Sequence, residues 1–254
     1  MSMAYLVVAL IGLVIGSFLN VCIYRLPRDQ SVVWPASRCT ACGREISWYE
    51  NIPVLSYAVL RGRCRTCGES ISLMYPLIEL LTASVFVATY AVFGPTALFA
   101  IRAAFGAAMI VLLVIDLQHQ ILPNEITLPG IVVGLAASLV AEPGWRDALI
   151  GAVAGGGVLW FVAWGYERLR HQEGLGFGDV KMLAMIGAFL GWKLMLLTLV
   201  GASILGSLTA GVLMVSGRAD WQSKLPLGTF LAVTAVPAGL FGHAVVAWYA
   251  GFFN

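Results

Sequence analysis

The 254-residue chain contains 60% hydrophobic and only 11% charged residues, whereas soluble domains usually contain about 25% charged residues. This composition excludes an ordinary soluble globular protein. The formal net charge is only +2, and we therefore expect no nucleic-acid partner and assign the basic residues to membrane topology instead.

The apolar residues form about eight blocks along the chain. A helix needs roughly 20 apolar residues to cross the hydrocarbon core of a bilayer, and most blocks reach that length. The predicted spans are 3–24, 73–93, 96–115, 125–141, 148–167, 180–192, 194–215 and 229–251. Block 180–192 is short for a complete span. The sequence therefore predicts an all-α polytopic membrane protein with about eight transmembrane helices and the lipid bilayer as its surroundings.

The Lys and Arg residues predict the orientation of these spans, because both residues are in excess in cytoplasmic loops. If the N-terminus lies outside, only Arg146 and Lys193 fall in outer loops, and Arg102 lies within a span. The other twelve fall on the cytoplasmic side: Arg25, Arg28, Arg38, Arg44, Arg61, Arg63, Arg65, Arg168, Arg170, Lys181, Arg218 and Lys224. The opposite orientation would invert this ratio.

Residues 25–72, between the first two predicted spans, form the one sizeable polar segment. It contains two Cys-x2-Cys pairs, each followed by Gly: Cys39 and Cys42, then Cys64 and Cys67. Two such pairs supply four thiolates for a tetrahedral Zn²⁺ ion. Disulfides are disfavoured, because the charge pattern places the loop in the reducing cytoplasm. We predict a structural zinc-knuckle loop with four cysteine ligands, with a redox or metal-sensing site as the alternative.

Two aspartates occupy unusual positions beside apolar runs. Asp116 directly follows the apolar run 107–115, and Asp179 ends the sequence Gly-Phe-Gly-Asp before the run that starts at residue 180. In the predicted topology both carboxylates lie at the cytoplasmic boundary of the bilayer. Ionisable groups at membrane depth are costly and usually functional.

Two carboxylates at one depth indicate acid–base chemistry. Like charges that share a site repel, so that one carboxylate is ionised while its partner keeps a proton. The ionised carboxylate can take a proton from water, and the protonated one can hydrogen-bond the scissile carbonyl and then protonate the leaving amine. Gly176 and Gly178 fit this picture, since Gly accepts positive φ and close approach of a peptide. Alternatively, Asp179 is a helix N-cap and Asp116 marks where a helix leaves the lipid.

Several further segments resemble sequence motifs of a known protein family. They are Gly-Ser-Phe-Leu-Asn-Val-Cys-Ile-Tyr-Arg-Leu-Pro-Arg at 16–28, Asn-Ile-Pro-Val-Leu-Ser-Tyr at 51–57, Ile-Ser-Leu-Met-Tyr-Pro-Leu-Ile-Glu at 71–79, Ile-Leu-Pro-Asn at 121–124 and Gly-Leu-Gly-Phe-Gly-Asp-Val-Lys at 174–181. Together with the cysteine pairs and Asp116, they occur in the order found in the bacterial type IV prepilin peptidases. The chain resembles this family, the leader peptidases of type IV pili and type II secretion.

The resemblance implies that Asp116 and Asp179 are the catalytic pair of an aspartic peptidase, with Gly176, Gly178 and Lys181 as supporting motif residues. It implies a prepilin or pseudopilin substrate whose short basic leader ends in Gly ahead of an apolar helix, cleaved at the cytoplasmic face of the bacterial inner membrane. The N-terminus would then be periplasmic. Many members also N-methylate the new N-terminus with S-adenosylmethionine, and this second activity rests here on the resemblance alone.

The same resemblance suggests a division into two parts. Residues 1–95 would contain the first helices, the zinc loop and the methyltransferase part, and residues 96–254 would form the membrane-embedded peptidase domain. One segment departs from the family pattern. The family has a run similar to Pro-Phe-Gly-Pro-Phe-Leu near the last span, whereas residues 225–231 read Leu-Pro-Leu-Gly-Thr-Phe-Leu.

Three polar residues remain as possible contacts for substrate or methyl donor: Asn20, Arg25 and Glu79. Arg25 is equally typical of a membrane-boundary anchor. Glu79 lies about 9 Å into the second span at 1.5 Å per residue, and such a residue is often simply neutral and hydrogen-bonded.

Two other functions compete with the complete prediction. One is a peptidase without methyltransferase activity. The other is a carboxylate-based membrane transporter, although transporters usually have inverted repeats and binding sites near the bilayer midplane.

Overall fold

A computed structural model describes residues 3–170, 176–217 and 225–252. Gly174 and Leu175, the first two residues of the family segment at 174–181, lie outside the described residues. So do two of the predicted cytoplasmic cations, Arg218 and Lys224. The helices are α1 (Met3–Arg25), α2 (Leu55–Val59), α3 (Met74–Phe93), α4 (Ala97–His119), α5 (Asn124–Ala137), α6 (Trp145–Arg170), α7 (Phe177–Val215) and α8 (Leu227–Ala250). The described part of the chain contains no β-strand, only two isolated bridges at 38/45 and 63/70.

Six of these helices are long and apolar enough to cross a membrane: α1, α3, α4, α6, α7 and α8. Their outward faces carry large apolar side chains, as on α1, where Leu10, Val14 and Phe18 recur every four residues and are all exposed. In lipid, a helix satisfies its backbone hydrogen bonds internally, so apolar faces of this kind are stable there. The predicted all-α polytopic fold is confirmed.

The chain forms two compact units, Met1–Val111 (the N-terminal unit) and Leu112–Asn254 (the C-terminal unit). The N-terminal unit contains α1, the polar loop, α2, α3 and the first part of α4. Helices α1 and α3 pack along each other. The C-terminal unit contains the end of α4 and α5–α8, and its helices α5, α6 and α8 all pack on α7.

Helix α7 is two helical segments joined at Gly191, which has non-helical φ 77° and ψ 169°. The first segment runs parallel to α8, because Asp179 interacts with Gly228 at one end and Leu190 lies beside Gly239 at the other. The second segment runs antiparallel to α8.

That second orientation follows from two contacts along α8. The Thr234 hydroxyl donates to the Thr198 carbonyl at 3.1 Å, while Gly242, further along α8, lies beside Leu194, which is nearer to Gly191. The chain therefore reverses direction at Gly191, a backbone conformation that favours Gly. Residues 180–192 and 194–215 are thus separate helical segments, as predicted, and the predicted span 125–141 is the 14-residue α5.

Helices α6 and α7 cross in direct backbone contact. A Cβ atom on Gly151 would lie 2.5 Å from the Gly187 carbonyl oxygen, and one on Gly187 would overlap the Gly151 backbone.

We expect Gly187→Ala to lower the free energy of unfolding by about 1–3 kcal/mol, the usual cost of overpacking, in thermal or denaturant unfolding of the detergent-solubilised protein. In Gly157→Ala, the control on α6, no atom lies within 4 Å of the new methyl group, so stability should be unchanged or slightly raised. Equal stability of the two variants would contradict this packing.

Candidate functional site

The four cysteines of the polar loop lie together in the N-terminal unit. Their Sγ atoms all lie within 4.8 Å of one another, and the Cys39 and Cys67 Sγ atoms, which belong to different pairs, are 3.8 Å apart. They are not disulfide-bonded. One metal ion can contact all four thiolates in this arrangement. The cluster is therefore a candidate metal centre, as predicted.

Each cysteine pair has the same local backbone. The N–H of Gly43 donates to the Cys39 carbonyl, and the N–H of Gly68 donates to the Cys64 carbonyl, both at 2.9 Å. The two glycines have φ 71° and 72°. Backbone N–H groups of Cys67 and Thr66 lower the pKa of the Cys64 thiol to about 6. The Cys64 sulfur is therefore largely a thiolate at neutral pH before any ligand binds.

Glu50 connects the two cysteine turns. Its side chain is only 4% exposed, and it pairs with Arg44 at 2.7 Å and with Arg65 at 3.7 Å. Arg44 follows the first pair and Arg65 lies within the second. The hydrogen bond from Arg44 holds the pKa of the Glu50 carboxyl below its ordinary value. This ion-pair network fixes the relative position of the two knuckles.

A second polar site lies in the C-terminal unit, around Asp116. This residue is in the last turn of α4 and is 4% exposed. Its Oδ2 atom accepts hydrogen bonds from the Thr229 backbone N–H at 2.6 Å and from the Thr229 hydroxyl at 2.9 Å. Asp116 is the last buried residue of α4, which continues to His119 with exposed residues from position 117 onward.

Asp179 belongs to the same site. Its carboxylate interacts electrostatically with the Asp116 carboxylate and accepts from the Gly228 backbone N–H. The two carboxylates are thus held by consecutive N–H groups at the start of α8. The N-cap of α7 is Gly176 and Asp179 lies in the first turn, so Asp179 is not the N-cap itself, although a carboxylate in the first turn still interacts favourably with the helix dipole.

The supporting motif residues lie close to Asp179 in sequence, at the start of α7. Gly176 has φ −67° and Gly178 is not among the positive-φ glycines, so the expected positive φ is wrong for both. Both glycines leave room for neighbouring side chains. A Cβ on Gly176 would lie 3.3 Å from Asp179 Oδ2, and one on Gly178 would lie 3.0 Å from the Leu122 side chain. Lys181 donates a hydrogen bond to the Asn124 side chain, which joins α7 to the start of α5.

Sequence reasoning missed Thr229. The only signal was that residues 225–231 depart from the family pattern. In the structure this Thr contributes two donors to Asp116.

The three remaining candidates lie in the N-terminal unit and line one open cavity of about 840 Å³. Asn20 donates to the Gly16 and Tyr75 carbonyls and so joins α1 to α3. Arg25 donates to backbone carbonyls of the loop, including that of Pro35 at 2.7 Å. Glu79 is 7% exposed and accepts from the Val54 N–H at 2.8 Å.

Comparison with known proteins gives matches over most of the chain. Residues 10–93 match the family described as the bacterial Peptidase A24 N-terminal domain, and residues 103–211 match the type IV leader peptidase family. No solved structure matches the chain.

Curated relatives carry the name prepilin leader peptidase/N-methyltransferase. The relative from Burkholderia pseudomallei (strain 1026b) is 38% identical over 95% of this chain and 86% of its own length. The relative from Pseudomonas putida is 36% identical over 93% of this chain and 90% of its own length. The relative from Myxococcus xanthus (strain DK1622) is 44% identical over 84% of this chain and 64% of its own length.

These matches confirm the resemblance that the motifs indicated, and with the apolar helices they identify a multi-pass protein of the inner membrane. The chain belongs to the type IV leader peptidase family.

Proposed function

We propose that this protein is an aspartic prepilin peptidase that removes the leader peptide of type IV prepilins and pseudopilins and then methylates the new N-terminus. The observation that carries the proposal is the carboxylate pair of Asp116 and Asp179, held by consecutive N–H groups in an apolar helical unit. The names of the relatives support both activities.

The pair performs hydrolysis by dividing two tasks. One carboxylate is ionised and takes a proton from the attacking water, while its protonated partner hydrogen-bonds the carbonyl of the scissile bond. The protonated carboxyl then gives its proton to the leaving amine as the C–N bond breaks. Thr229 and Gly228 hold the carboxylates in place without supplying a proton to the reaction.

We further propose that this site faces the cytoplasm and that the N-terminus is periplasmic. The distribution of Lys and Arg supports this orientation. It lets the apolar helix of the substrate stay in lipid while its basic leader lies on the cytoplasmic side, beside the carboxylates. Helix α5 runs parallel to the first segment of α7, because Asn124 contacts Lys181 and Gly134, further along, lies beside Phe189. The parallel course of α5, the first segment of α7 and α8 is consistent with this orientation, since all three then start at the cytoplasmic side.

The metal of the cysteine cluster is, in this proposal, a structural Zn²⁺ held by Cys39, Cys42, Cys64 and Cys67. Four sulfur ligands at about 2.3 Å in a tetrahedron lie ~3.8 Å from one another, which fits the 3.8 Å between the Cys39 and Cys67 Sγ atoms. The other group is S-adenosylmethionine, which supplies a methyl group on a sulfonium sulfur.

The function is tested with membranes that contain the protein and a prepilin carrying a basic leader that ends in Gly. We expect one cut after that Gly, and intact mass of the product larger than that of the unmethylated chain by one CH₂ group when S-adenosylmethionine is present. A matched prepilin with Val in place of this Gly should stay uncut. Cleavage elsewhere, or none, would contradict the peptidase; an unmethylated product would contradict the second activity alone.

A further inference from the structure

The cavity of the N-terminal unit contains a buried carboxylate, that of Glu79, which has no cationic partner among the described residues. Its volume of about 840 Å³ is in the range of about 300–1,000 Å³ that is usual for small-molecule sites. Among the other buried polar residues of the cavity, Asn20 and Arg25 bond to backbone carbonyls and Glu50 pairs with Arg44. Glu79 instead accepts from the Val54 N–H and from the Ser17 side chain.

None of the ion pairs within residues 3–170, 176–217 and 225–252 includes Glu79. A buried carboxylate is costly unless it is paired or hydrogen-bonded. Since its hydrogen bonds come from neutral groups and it lines the cavity, Glu79 can pair with a cationic group that enters from outside the protein.

The position of Glu79 is fixed by an unusual turn. Val54 has φ 59° and ψ −45°, which is rare for a β-branched residue. The Leu55 N–H bonds to the Pro53 carbonyl at 2.5 Å, closing a tight three-residue turn. Strained backbone of this kind concentrates at functional sites, where surrounding contacts maintain it. Here the contact is the bond from Val54 to the carboxylate, which holds Glu79 in one orientation.

We infer that this cavity is the methyl-transfer site, in which Glu79 binds the α-ammonium group of the newly cut chain and takes one of its protons. The inference rests on the proposed function. An α-amino group has a pKa of about 7.7–8.0, so most of it is protonated and unreactive at neutral pH. A carboxylate beside it both attracts the ammonium form and receives the proton that must leave.

The step is balanced without another reactant. The ammonium loses one proton to the Glu79 carboxylate, and its nitrogen lone pair then forms the N–C bond to the methyl carbon. The S–C bond breaks with its electron pair on sulfur, so the positive charge passes from the sulfonium to the new secondary ammonium. Glu79 afterwards releases its proton to water.

The rest of the cavity suits the donor. Tyr24, Trp34, Tyr57 and Tyr75 line it, and aromatic rings attract sulfonium-type cations and stack on purines. Trp34 lies in the polar loop and is 74% exposed. It is therefore available to stack on the adenine ring of S-adenosylmethionine.

The test of Glu79 uses the purified full-length protein and a synthetic peptide with the already cleaved pilin N-terminus, so that methyl transfer is measured without prior cleavage. In Glu79→Gln, the amide oxygen still accepts from Val54 but takes no proton. We expect methyl transfer to fall at least about 100-fold, with prepilin cleavage and equilibrium binding of labelled S-adenosylmethionine unchanged. Glu79→Asp, which keeps the carboxylate, should recover part of the transfer. Normal transfer by Glu79→Gln would overturn the role of Glu79.

Donor binding is tested by equilibrium dialysis with a pair of tryptophan variants. Trp34→Ala should weaken the binding of S-adenosylmethionine by roughly 5-fold or more. Trp48, also exposed in the loop, does not line the cavity, so Trp48→Ala should bind normally. Equal affinities of Trp34→Ala and Trp48→Ala for S-adenosylmethionine would contradict the assignment of this cavity as the donor site.

These experiments separate the inference from the proposed function. A wild-type protein that cuts prepilin but binds no donor would overturn the inference and leave the peptidase intact. A wild-type protein that methylates the precut peptide but cuts no prepilin would contradict the peptidase and leave the inference about the cavity intact.

Discussion

Asp116→Asn and Asp179→Asn are each expected to lower leader-peptide cleavage at least about 100-fold, the lower range for loss of a general acid or base. Asn retains the shape of Asp and can still accept hydrogen bonds from the start of α8. It cannot take up or release the proton that hydrolysis requires. Cleavage is measured as the rate of product formation in membranes that contain equal amounts of inserted protein.

The control is Asp147→Asn. Asp147 lies in the first turn of α6, next to Gly191, where α7 reverses, and therefore at the other end of the first α7 segment from Asp179. It should leave cleavage unchanged. Near-normal cleavage by either Asp116→Asn or Asp179→Asn would show that this residue is structural and that the proposed mechanism is wrong.

A variant at Thr229 is expected to lower cleavage less than the two Asp variants do. Thr229→Val removes the hydroxyl that donates to Asp116 at 2.9 Å but keeps the backbone donor at 2.6 Å. A hydrogen bond to a charged group contributes about 1.5–3 kcal/mol, so a loss of roughly 10-fold or more in cleavage is expected if this bond orients the ionised carboxylate. Thr229→Ser should restore the rate, because it restores the donor.

Loss of any one of Cys39, Cys42, Cys64 and Cys67 is expected to abolish stoichiometric zinc binding and unfold the polar loop. The described part of the loop has little regular structure besides α2 and short 3₁₀ turns at 26–28 and 48–51. Structural zinc supplies apparent binding free energies of about 10–16 kcal/mol, far more than such turns provide. Cys64→Ser should therefore reduce the metal measured by elemental analysis from one ion per chain to a small fraction. Limited proteolysis should then cut within residues 25–72.

The fifth cysteine supplies the matched control. Cys22 is buried in α1 and lies outside the cluster, so Cys22→Ala should keep the metal and the resistance to proteolysis. A full complement of zinc in Cys64→Ser, or none in the wild type, would contradict a zinc site with four cysteine ligands. Because the loop lines the cavity around Glu79, its unfolding should also abolish methyl transfer.

The sequence by itself determined the helices and the cysteine turns. Long apolar runs such as 3–24 form helices because a helix satisfies its backbone hydrogen bonds within one segment in lipid. Each Cys-x2-Cys-Gly turn is closed by a hydrogen bond over four residues, as from Gly43 to Cys39. Both are local properties, and their chemistry can be inferred from the order of residues alone.

Only the tertiary structure decided which groups meet. Asp116 and Thr229 are 113 residues apart, and Glu79 and Val54 are 25 apart; neither pair has a spacing that predicts contact. The packing of α8 on α7 brings the start of α8 to both carboxylates, and the reversal at Gly191 makes that packing possible. Such contacts depend on the shapes of several helices together, which hydrophobic periodicity along one segment does not describe.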